Sequence, residues 1–256
     1  MRIDLNSDLG EGFGPWAMGD DAAMLSLVSS ANVACGFHAG DPQIMRATIA
    51  MAAGRGVAVG AHPGYHDLSG FGRRPVAGLT LREIENLVAY QIGAFAAICA
   101  LEGQPMRHVK THGALGNACA VDDDLADAIA RAIRAAAPDA AFMTMPGAAT
   151  DRAADRAGLR QIREIYADRT YGEDFNLSPR SQPGAVIHDP AHALTRAMEM
   201  VAEGRIRSVG GKDLRVPIDS ICVHGDTPAA VTMTRMLREG LEAAGWQVAP
   251  PHAGNG

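Results

Sequence analysis

Short apolar runs alternate along the chain with longer stretches that have the periodicity of amphipathic helices. Strands are predicted at Arg2–Asp8, Ala31–Cys35, Val57–Ala61, His108–Lys110, Ala141–Met145, Arg163–Tyr166 and Ser220–Val223. Few of these runs alternate strictly between apolar and polar residues, as expected when both faces of a parallel sheet are buried. The repeated strand-then-helix units predict a parallel α/β sheet with helices outside, either open or closed into a barrel.

Capping residues mark several of the predicted helices. Asp41 followed by Pro42 predicts a helix that ends near Gly54, and Thr80 with Glu83 forms a capping-box pattern that opens a helix to about Glu102. Further helices are predicted at about Asp20–Ser30, Asp122–Ala137, between the fifth and sixth strands, at Pro190–Gly204, and from Thr227-Pro228 to Gly245. No change in composition marks a domain boundary. Residues 1–248 are therefore predicted to form a single α/β domain, followed by a frayed tail at 249–256.

Composition narrows the class of protein. The 256 residues are 47% hydrophobic, enough for a sizeable core, and the formal net charge of −6 argues against nucleic-acid binding. The chain shows no signal sequence and no apolar run near the roughly 20 residues that span a bilayer. The four cysteines are far apart and are predicted to be reduced thiols. We expect a cytoplasmic protein with no membrane partner.

Polar residues collect where the predicted strands end. In parallel α/β folds the loops after the strands build the active site. The residues found there are Asp8 and Glu11 after strand one, His38 after strand two, His62 after strand three, Lys110 and His112 after strand four, Asp168 and Arg169 after strand six, and His224 after strand seven. A single histidine at a strand end is often a core residue. Four of them at one rim predict a shared functional site.

Several chemistries are compatible with these residues. Lys110 ends an apolar strand and would be costly to bury without an anion or a chemical role. Asp8 and Glu11 suit a general acid or base, or a hard metal. Asp8, His38 and His62 could alternatively bind a divalent metal, although no HExxH or close HxH spacing is present. Arg73 and Arg74 could hold a carboxylate or phosphate, or could belong to a solvated loop.

Familiar motifs for two other chemistries are missing. The segment from Gly10 to Gly14 is glycine-rich but fits neither a P-loop nor GxGxxG, and the chain contains no GxSxG nucleophile elbow. Cys35 and Cys222 lie in or at the end of predicted strands, where a buried, inert thiol is expected.

Several long segments resemble the LamB/YcsF family, the A subunit of bacterial 5-oxoprolinase. The similarity covers DLNSDLGEGFG at residues 4–14, SANVACGFHAGDP at 30–42, GAHPGY at 60–65, GFGRR at 70–74, YQIGA at 90–94 and DSICVHGDTP at 219–228. It runs almost end to end. The chain departs from the family's VKPHGALYN, because Thr111 and Gly116 replace the proline and tyrosine, whereas Lys110, His112 and Asn117 remain. These changes border the predicted site and could shift substrate preference.

The resemblance implies a (β/α)7 barrel of the glycoside hydrolase/deacetylase-like type. It also implies ATP-dependent hydrolysis of the 5-oxoproline lactam to L-glutamate, with B and C subunits as partners. It does not assign ATP, or the Mg²⁺ that would accompany it, to this chain or to the partners. We expect Asp8, Glu11, His38, His62, Lys110 and His112 to be catalytic. Substrate contacts are expected from Arg73, Arg74, Asn117, Asp168, Arg169 and His224.

Two alternatives remain open at this point. One is a metal-dependent deacylase or deacetylase on the same barrel, which would need no ATP. The other is a non-catalytic subunit that only scaffolds its partners. The clustering of ionisable residues at strand ends argues against the scaffold, since a scaffold does not need them.

Overall fold

The computed structural model describes residues 1–224 and 230–251, and these residues alternate between strands and helices. The strands are β1 (Arg2–Leu9), β2 (Ser30–Ala34), β3 (Ala58–His62), β4 (Met106–Val109), β5 (Ala141–Thr144), β6 (Gln161–Tyr166), β7 (Arg205–Arg207), β8 (Asp213–Arg215), β9 (Ser220–Cys222) and β10 (Gln247–Val248). The helices are α1 (Asp21–Met24), α2 (Pro42–Ala53), α3 (Leu81–Leu101), α4 (Gly113–Val121), α5 (Asp123–Ala136), α6 (Ala149–Arg156), α7 (Pro190–Glu203) and α8 (Ala230–Ala243). A short 3₁₀ helix covers Leu68–Gly70.

Seven parallel strands close into a barrel. The strand order is β1-β2-β3-β4-β5-β6-β9, and β9 returns to pair with β1. The predicted (β/α)7 barrel is therefore confirmed. The short strand β10 pairs with the first residues of β1, where Arg2 lies opposite Gln247. The carboxyl ends of the barrel strands meet at one mouth, so the polar residues that follow them are brought together there.

The predicted helix caps are made by the expected side chains. Asp41 accepts hydrogen bonds from the backbone amides of Gln43 and Ile44, and Pro42 occupies the first turn of α2. Thr80 and Glu83 cap α3 reciprocally, as the capping-box pattern predicts. The predicted opening of the last helix at Thr227-Pro228 lies outside the described residues.

The helix predicted at Asp20–Ser30 is wrong in its length, because α1 ends at Met24. Polar groups beyond that point serve other elements. The hydroxyl of Ser29 donates to Asp4 in β1, 2.6 Å away, and Ser30 already begins β2. The carboxylate of Asp21 in α1 accepts from the amide of Gly10 and from the hydroxyl of Thr48. The chain therefore turns early to enter the barrel.

Helix α4, the 3₁₀ helix and the strands β7, β8 and β10 have no counterpart in the predicted set. Helix α4 starts at Gly113 without a side-chain cap and contains a second glycine, Gly116. Strands β7 and β8 form a small antiparallel pair apart from the barrel. In the predicted tail, the amide of Ala249 donates to the carbonyl of Ile3, and Pro250 accepts from Arg2. The rest of that tail, residues 252–256, lies outside the described part of the chain.

Helix α3 corrects the expectation that no segment approaches membrane-spanning length. By length and composition alone this helix of 21 residues could cross a bilayer. Such a helix is weak evidence, because core helices of globular proteins pass the same test. Here Ile84, Val88, Ile92, Phe95 and Cys99 are buried, and α3 packs mainly against α5.

Candidate active site

A cavity of about 450 Å³ opens at the carboxyl ends of the barrel strands. This size is typical of pockets for small molecules. The predicted site residues that line it are Asp8, Glu11, His62, Arg73, Lys110, His112, Asn117, Arg169 and His224. His38, Arg74 and Asp168 do not line it. His38 lies behind His112, with the two rings stacked 3.7 Å apart, and Asp168 contacts His224.

Asp8, Lys110 and Glu164, which we call the ionic network, form the floor of the cavity. The Lys110 ammonium lies 3.0 Å from Asp8 Oδ1 and 3.1 Å from Glu164 Oε2. It also donates to the Cys222 sulfur at 3.1 Å. Lys110 is 3% exposed, so the two carboxylates supply the anions that a buried lysine requires. The need of a buried Lys110 for an anion was predicted, whereas Glu164 was not among the predicted site residues.

The charges of the ionic network stabilise one another. Burial alone would raise the pKa of Asp8, but His62 and Lys110 hold it well below its usual range. Burial would likewise lower the pKa of Lys110, whereas Asp8, Cys222 and Glu164 raise it well above its ordinary value. The pair therefore stays ionised across the physiological range of pH. The second Asp8 oxygen, Oδ2, lies 3.3 Å from His62 Nε2.

Below this floor, polar side chains continue down the barrel axis. Asp4, Asn6 and Asp8 alternate along β1 and share one face. The amide of Asn32 donates to both Asn6 and Asp8, at 2.8 Å each. The buried ring of His108 contacts Asn32 at 2.7 Å. We call Asp4, Asn6, Asn32, His108 and Ser220 the polar ladder, and it supports the ionic network from beneath.

Glu11, His38, His62 and His112, which we call the histidine cluster, occupy one wall of the mouth. His62 Nε2 and His112 Nδ1 lie 3.1 Å apart, and Glu11 Oε1 lies 3.7 Å from His112 Nδ1. All four side chains are buried. Both ring nitrogens of His38 lack a hydrogen-bond partner among the described residues. Burial, with the neighbouring rings of His112 and His62, lowers the pKa of His38 well below its usual value.

The histidine cluster could hold a metal ion. One ligand atom from each of its four residues lies within 4.8 Å of the others. This set differs from the predicted Asp8, His38 and His62, because Asp8 belongs to the ionic network on the far side of His62. Burial and His62 lower the pKa of His112 to about 3, so its ring is neutral and has a lone pair to offer.

Asp168 and His224 form a pair beside the ionic network, with a ligand atom of His224 within 4.8 Å of those of Asp8 and Cys222. Asp168 Oδ2 lies 2.7 Å from His224 Nδ1, so this nitrogen carries the proton and donates it to the carboxylate. Burial would raise the pKa of Asp168, but His224 lowers it below its usual value. The remaining nitrogen of His224, Nε2, is then free to accept a proton. This arrangement is one that enzymes use for acid–base chemistry.

The arginines differ sharply in their surroundings. Arg73 lines the cavity with its guanidinium 5.0 Å from the ring of Phe71. Arg74 points elsewhere and forms an ion pair with Asp67. Arg169 is buried and donates to the carbonyl of Ser178, and Arg180 also reaches the cavity wall. Thr111 and Gly116, the two departures from the family pattern, both line the cavity.

The four cysteines are buried and unpaired, as predicted. Burial raises the pKa of Cys35 to about 12, so its thiol is a poor nucleophile. Cys222 contacts Lys110, yet burial still raises its pKa well above the ordinary range. Neither residue has the environment of a reactive cysteine.

Comparison with known proteins gives a consistent picture. The sequence profile described as the LamB/YcsF family matches residues 3–255. A protein from Rhodopseudomonas palustris (strain BisB18), named as the A subunit of 5-oxoprolinase, is 54% identical over 248 residues, which cover 97% of each chain. The crystal structure of a lactam utilization protein from Thermus thermophilus is 44% identical, with a TM-score of 0.91, covering 97% of this chain and 99% of that one.

A more distant structural similarity concerns the fold alone. The catalytic domain of a peptidoglycan N-acetylglucosamine deacetylase from Eubacterium rectale ATCC 33656 superposes with a TM-score of 0.51 at 12% identity. The match covers 98% of this chain and 88% of that chain. This agrees with the predicted deacetylase-like barrel.

Proposed function

Because the chain belongs to the LamB/YcsF family, we propose that it is the A subunit of a 5-oxoprolinase. In this proposal it opens the 5-oxoproline lactam to L-glutamate in a reaction that consumes ATP. Its relatives are named as the A subunit of 5-oxoprolinase and as a lactam utilization protein, and these names support a role in 5-oxoproline utilisation. The B and C subunits are its proposed partners.

The observation that carries this proposal is the cavity at the barrel mouth. It brings a buried ion pair, an Asp–His pair and several arginines around one space large enough for a small anionic substrate. A subunit that only scaffolds its partners would not need a buried, charged cavity, because each buried charge costs free energy unless it is compensated.

ATP is needed because a five-membered lactam is a stable amide. Transfer of the terminal phosphoryl group to the lactam oxygen makes the ring carbon a strong electrophile. Water then adds to that carbon and the ring C–N bond breaks, with a proton passing to the leaving nitrogen, which gives the free amine and the γ-acyl phosphate of glutamate. A second water hydrolyses this acyl phosphate to L-glutamate and phosphate. The chain has no P-loop, so we propose that ATP, with its Mg²⁺, binds mainly on the partner subunits.

We assign proton transfer to His224. Its Nδ1–H is held by Asp168 at 2.7 Å, which leaves Nε2 to accept a proton from the attacking water. Lys110 acts through Asp8, because its ammonium already has acceptors on Asp8, Glu164 and Cys222. Its charge keeps Asp8 ionised and the cavity floor rigid. His224 thereby receives a catalytic role, whereas it was expected only to contact the substrate.

Binding of the substrate carboxylate is assigned to the arginines of the wall. Arg73 lines the cavity, and guanidinium groups bind carboxylates with two parallel hydrogen bonds. Arg169 also lines it, but its Nε and Nη2 already donate to the carbonyls of Ala185 and Ser178, so it is assigned a single hydrogen bond or a charge contact. Asn117, also on the wall, can donate to the lactam oxygen. Arg74 is the weakest of the expected substrate contacts, since Asp67 already occupies its guanidinium. The four free thiols support a cytoplasmic location.

The proposal is tested by measuring glutamate release from 5-oxoproline. The chain is assayed alone and with candidate B and C subunits, with and without ATP. We expect release only from the complete, ATP-fed mixture. His224→Gln should lower its kcat about 10²- to 10⁴-fold, whereas the exposed His192, replaced by Gln, serves as a matched control that keeps activity. ATP-independent release by the isolated chain would contradict the proposal.

The histidine cluster favours one second candidate, a metal-dependent deacylase or deacetylase. Three histidines and a glutamate are ligands that suit a metal-assisted hydrolase. This alternative requires activity on an acylated substrate that needs no ATP and that is lost with a chelator. The same assay, repeated with an acetylated sugar or amide and with a chelator, separates the two.

A further inference from the structure

The protons of the histidine cluster can be counted from its backbone contacts. His62 Nδ1 lies 2.8 Å from the carbonyl oxygen of Lys110, and His112 Nε2 lies 2.8 Å from that of Phe71. A carbonyl oxygen only accepts hydrogen bonds, so each of these ring nitrogens carries a hydrogen. In a neutral ring the other nitrogen, His62 Nε2 or His112 Nδ1, then has a lone pair, and for His62 that lone pair also lies 3.3 Å from the carboxylate oxygen Asp8 Oδ2. Those two nitrogens face each other at 3.1 Å.

Two facing lone pairs repel unless something positive lies between them. A single shared proton would satisfy His62 and His112. It would leave both ring nitrogens of the buried His38 without a partner, and a buried polar atom without a partner is rare and costly. A metal ion would accept lone pairs from all three histidines and an oxygen from Glu11.

The spacing of the ligand atoms suits such an ion. Ligands that lie about 2.0–2.1 Å from a tetrahedral zinc are roughly 3.3 Å from one another. The separations here are 3.1 Å between His62 and His112, 3.7 Å between His112 and Glu11, and 3.9 Å between His38 and Glu11. The outer N–H groups of His62 and His112 are held by carbonyls, as in most metal-binding histidines.

We propose that Glu11, His38, His62 and His112 bind one divalent transition-metal ion of the zinc class. Imidazole ligands suit zinc, nickel, copper or iron, whereas Mg²⁺ prefers oxygen, so this ion is distinct from any Mg²⁺ that accompanies ATP. The ring of His38 is parallel to that of His112, so His38 tilts when it binds. No hydrogen bond has to break for that tilt.

Bound at this wall of the cavity, the ion would supply Lewis acidity. The proposal itself does not depend on the substrate or on ATP, and its test therefore uses no turnover measurement. A negative result in the assay for glutamate release would not contradict the metal site, and failure to bind metal would not contradict the proposed 5-oxoprolinase activity.

The test measures metal binding directly. Purified chain is stripped with a chelator and titrated with Zn²⁺ or Co²⁺, and bound metal is counted by mass spectrometry. We expect about one ion per chain and, for Co²⁺, the intense visible absorption of a tetrahedral site. His62→Gln and His38→Gln should each weaken binding by more than about 100-fold, since loss of even an outer partner costs 10- to 100-fold. His66, exposed on a nearby loop and replaced by Gln, is the matched control.

A second measurement distinguishes loss of metal binding from misfolding of a variant. The thermal midpoint of the parent and of His66→Gln should rise with Zn²⁺ concentration, whereas that of His38→Gln should not. Stoichiometric binding that survives His38→Gln and His62→Gln would overturn this ligand set. A chain that binds neither ion would contradict the proposed metal site. An NMR spectrum that shows one proton shared by His62 and His112 would then identify that proton as what lies between the two nitrogens.

Discussion

The ionic network and the histidine cluster are neighbours, separated only by the 3.3 Å between Asp8 and His62, yet they satisfy their polar atoms differently. In the ionic network Lys110 meets two carboxylates and a sulfur, and Asn32 supports Asp8 from below. In the histidine cluster the ring nitrogens of His38 have no hydrogen-bond partner among the described residues, and His62 Nε2 lies 3.1 Å from His112 Nδ1. The first region is complete as the chain folds. The second is arranged to receive a ligand that the chain does not supply.

This difference separates preorganisation from binding. A fully satisfied buried network fixes geometry and charge before any substrate arrives. A buried cluster with bare lone pairs carries a cost in the free protein, and that cost is recovered only on binding. Substitutions in the two regions and around them should therefore change turnover and stability differently. The predictions below run from the largest expected loss of turnover to the smallest.

Among substitutions in these two regions, Lys110→Met should have the largest effect, because it removes the cation shared by Asp8 and Glu164. We expect kcat to fall about 10²- to 10³-fold. Stability should fall by about 3–5 kcal/mol, since two buried carboxylates lose their partner. The double variant Lys110→Met with Glu164→Gln should recover much of the stability and none of the turnover, as measured by urea unfolding and glutamate release. Normal turnover in the double variant would assign Lys110 a structural role only.

Gly72→Ala should come next, because it disturbs the histidine cluster without changing a ligand. An added Cβ would lie 2.7 Å from His38 Cβ and 2.9 Å from His112 Cδ2. Displacing catalytic groups by about 1 Å can cost roughly 100-fold in rate. Gly78→Ala is the matched control, since its φ is also positive and its added Cβ meets nothing within 4 Å. Both variants should lose stability, and only Gly72→Ala should lose turnover.

Arg73→Gln and Arg74→Gln compare the cavity wall with the loop beside it. Arg73 lines the cavity, and loss of a charged contact to the substrate should raise KM about 10- to 100-fold. Arg74 is paired with Asp67, and its replacement should leave KM and kcat nearly unchanged. KM and kcat are measured by steady-state kinetics in the complete complex. Equal effects of the two variants on KM would show that Arg73 does not bind the substrate.

Asp4→Asn should affect turnover least while changing how stability depends on pH. Burial raises the pKa of Asp4 to about 6 from 3.8, despite hydrogen bonds from Ser220, Ser29 and Ser30. The folded chain therefore binds a proton that the unfolded chain releases, and this stabilisation is lost as pH rises from about 4 through 6. The free energy of unfolding of the variant, relative to that of the parent, should rise by roughly 3 kcal/mol across this pH range. Parallel unfolding curves at pH 4.5 and 7 that show no relative change would contradict this.

Much of the architecture could be predicted from sequence because the βα units are locally marked. Asp41, Thr80 and Glu83 cap their helices as the sequence indicates, and the barrel strands lie close to their predicted positions. The elements that were missed lack such marks. Helix α4 begins with a glycine and has no side-chain cap, and its stability comes from packing against α5 and α6.

The candidate site was predicted only in part. Residues at strand ends could be found because parallel strands bring their carboxyl ends together. Glu164 and Asn32 were missed because they lie inside strands whose two faces are both buried, so sequence does not tell which face points along the barrel axis. The alternation of Asp4, Asn6 and Asp8 was the available signal. It marks the inward face of β1.

The closure of the barrel on β1 has a consequence for how the chain is made. Ser7 in β1 donates to the carbonyl of Val223, 216 residues later, and β9 and β10 both pair with β1. A ribosome releases β1 long before those partners exist, so the edge of β1 that does not pair with β2 must remain unpaired until they are made. Contacts between residues so far apart in the sequence form slowly during folding. Substitutions in β9 should therefore reduce the yield of newly synthesised protein more than they harm molecules that have already folded.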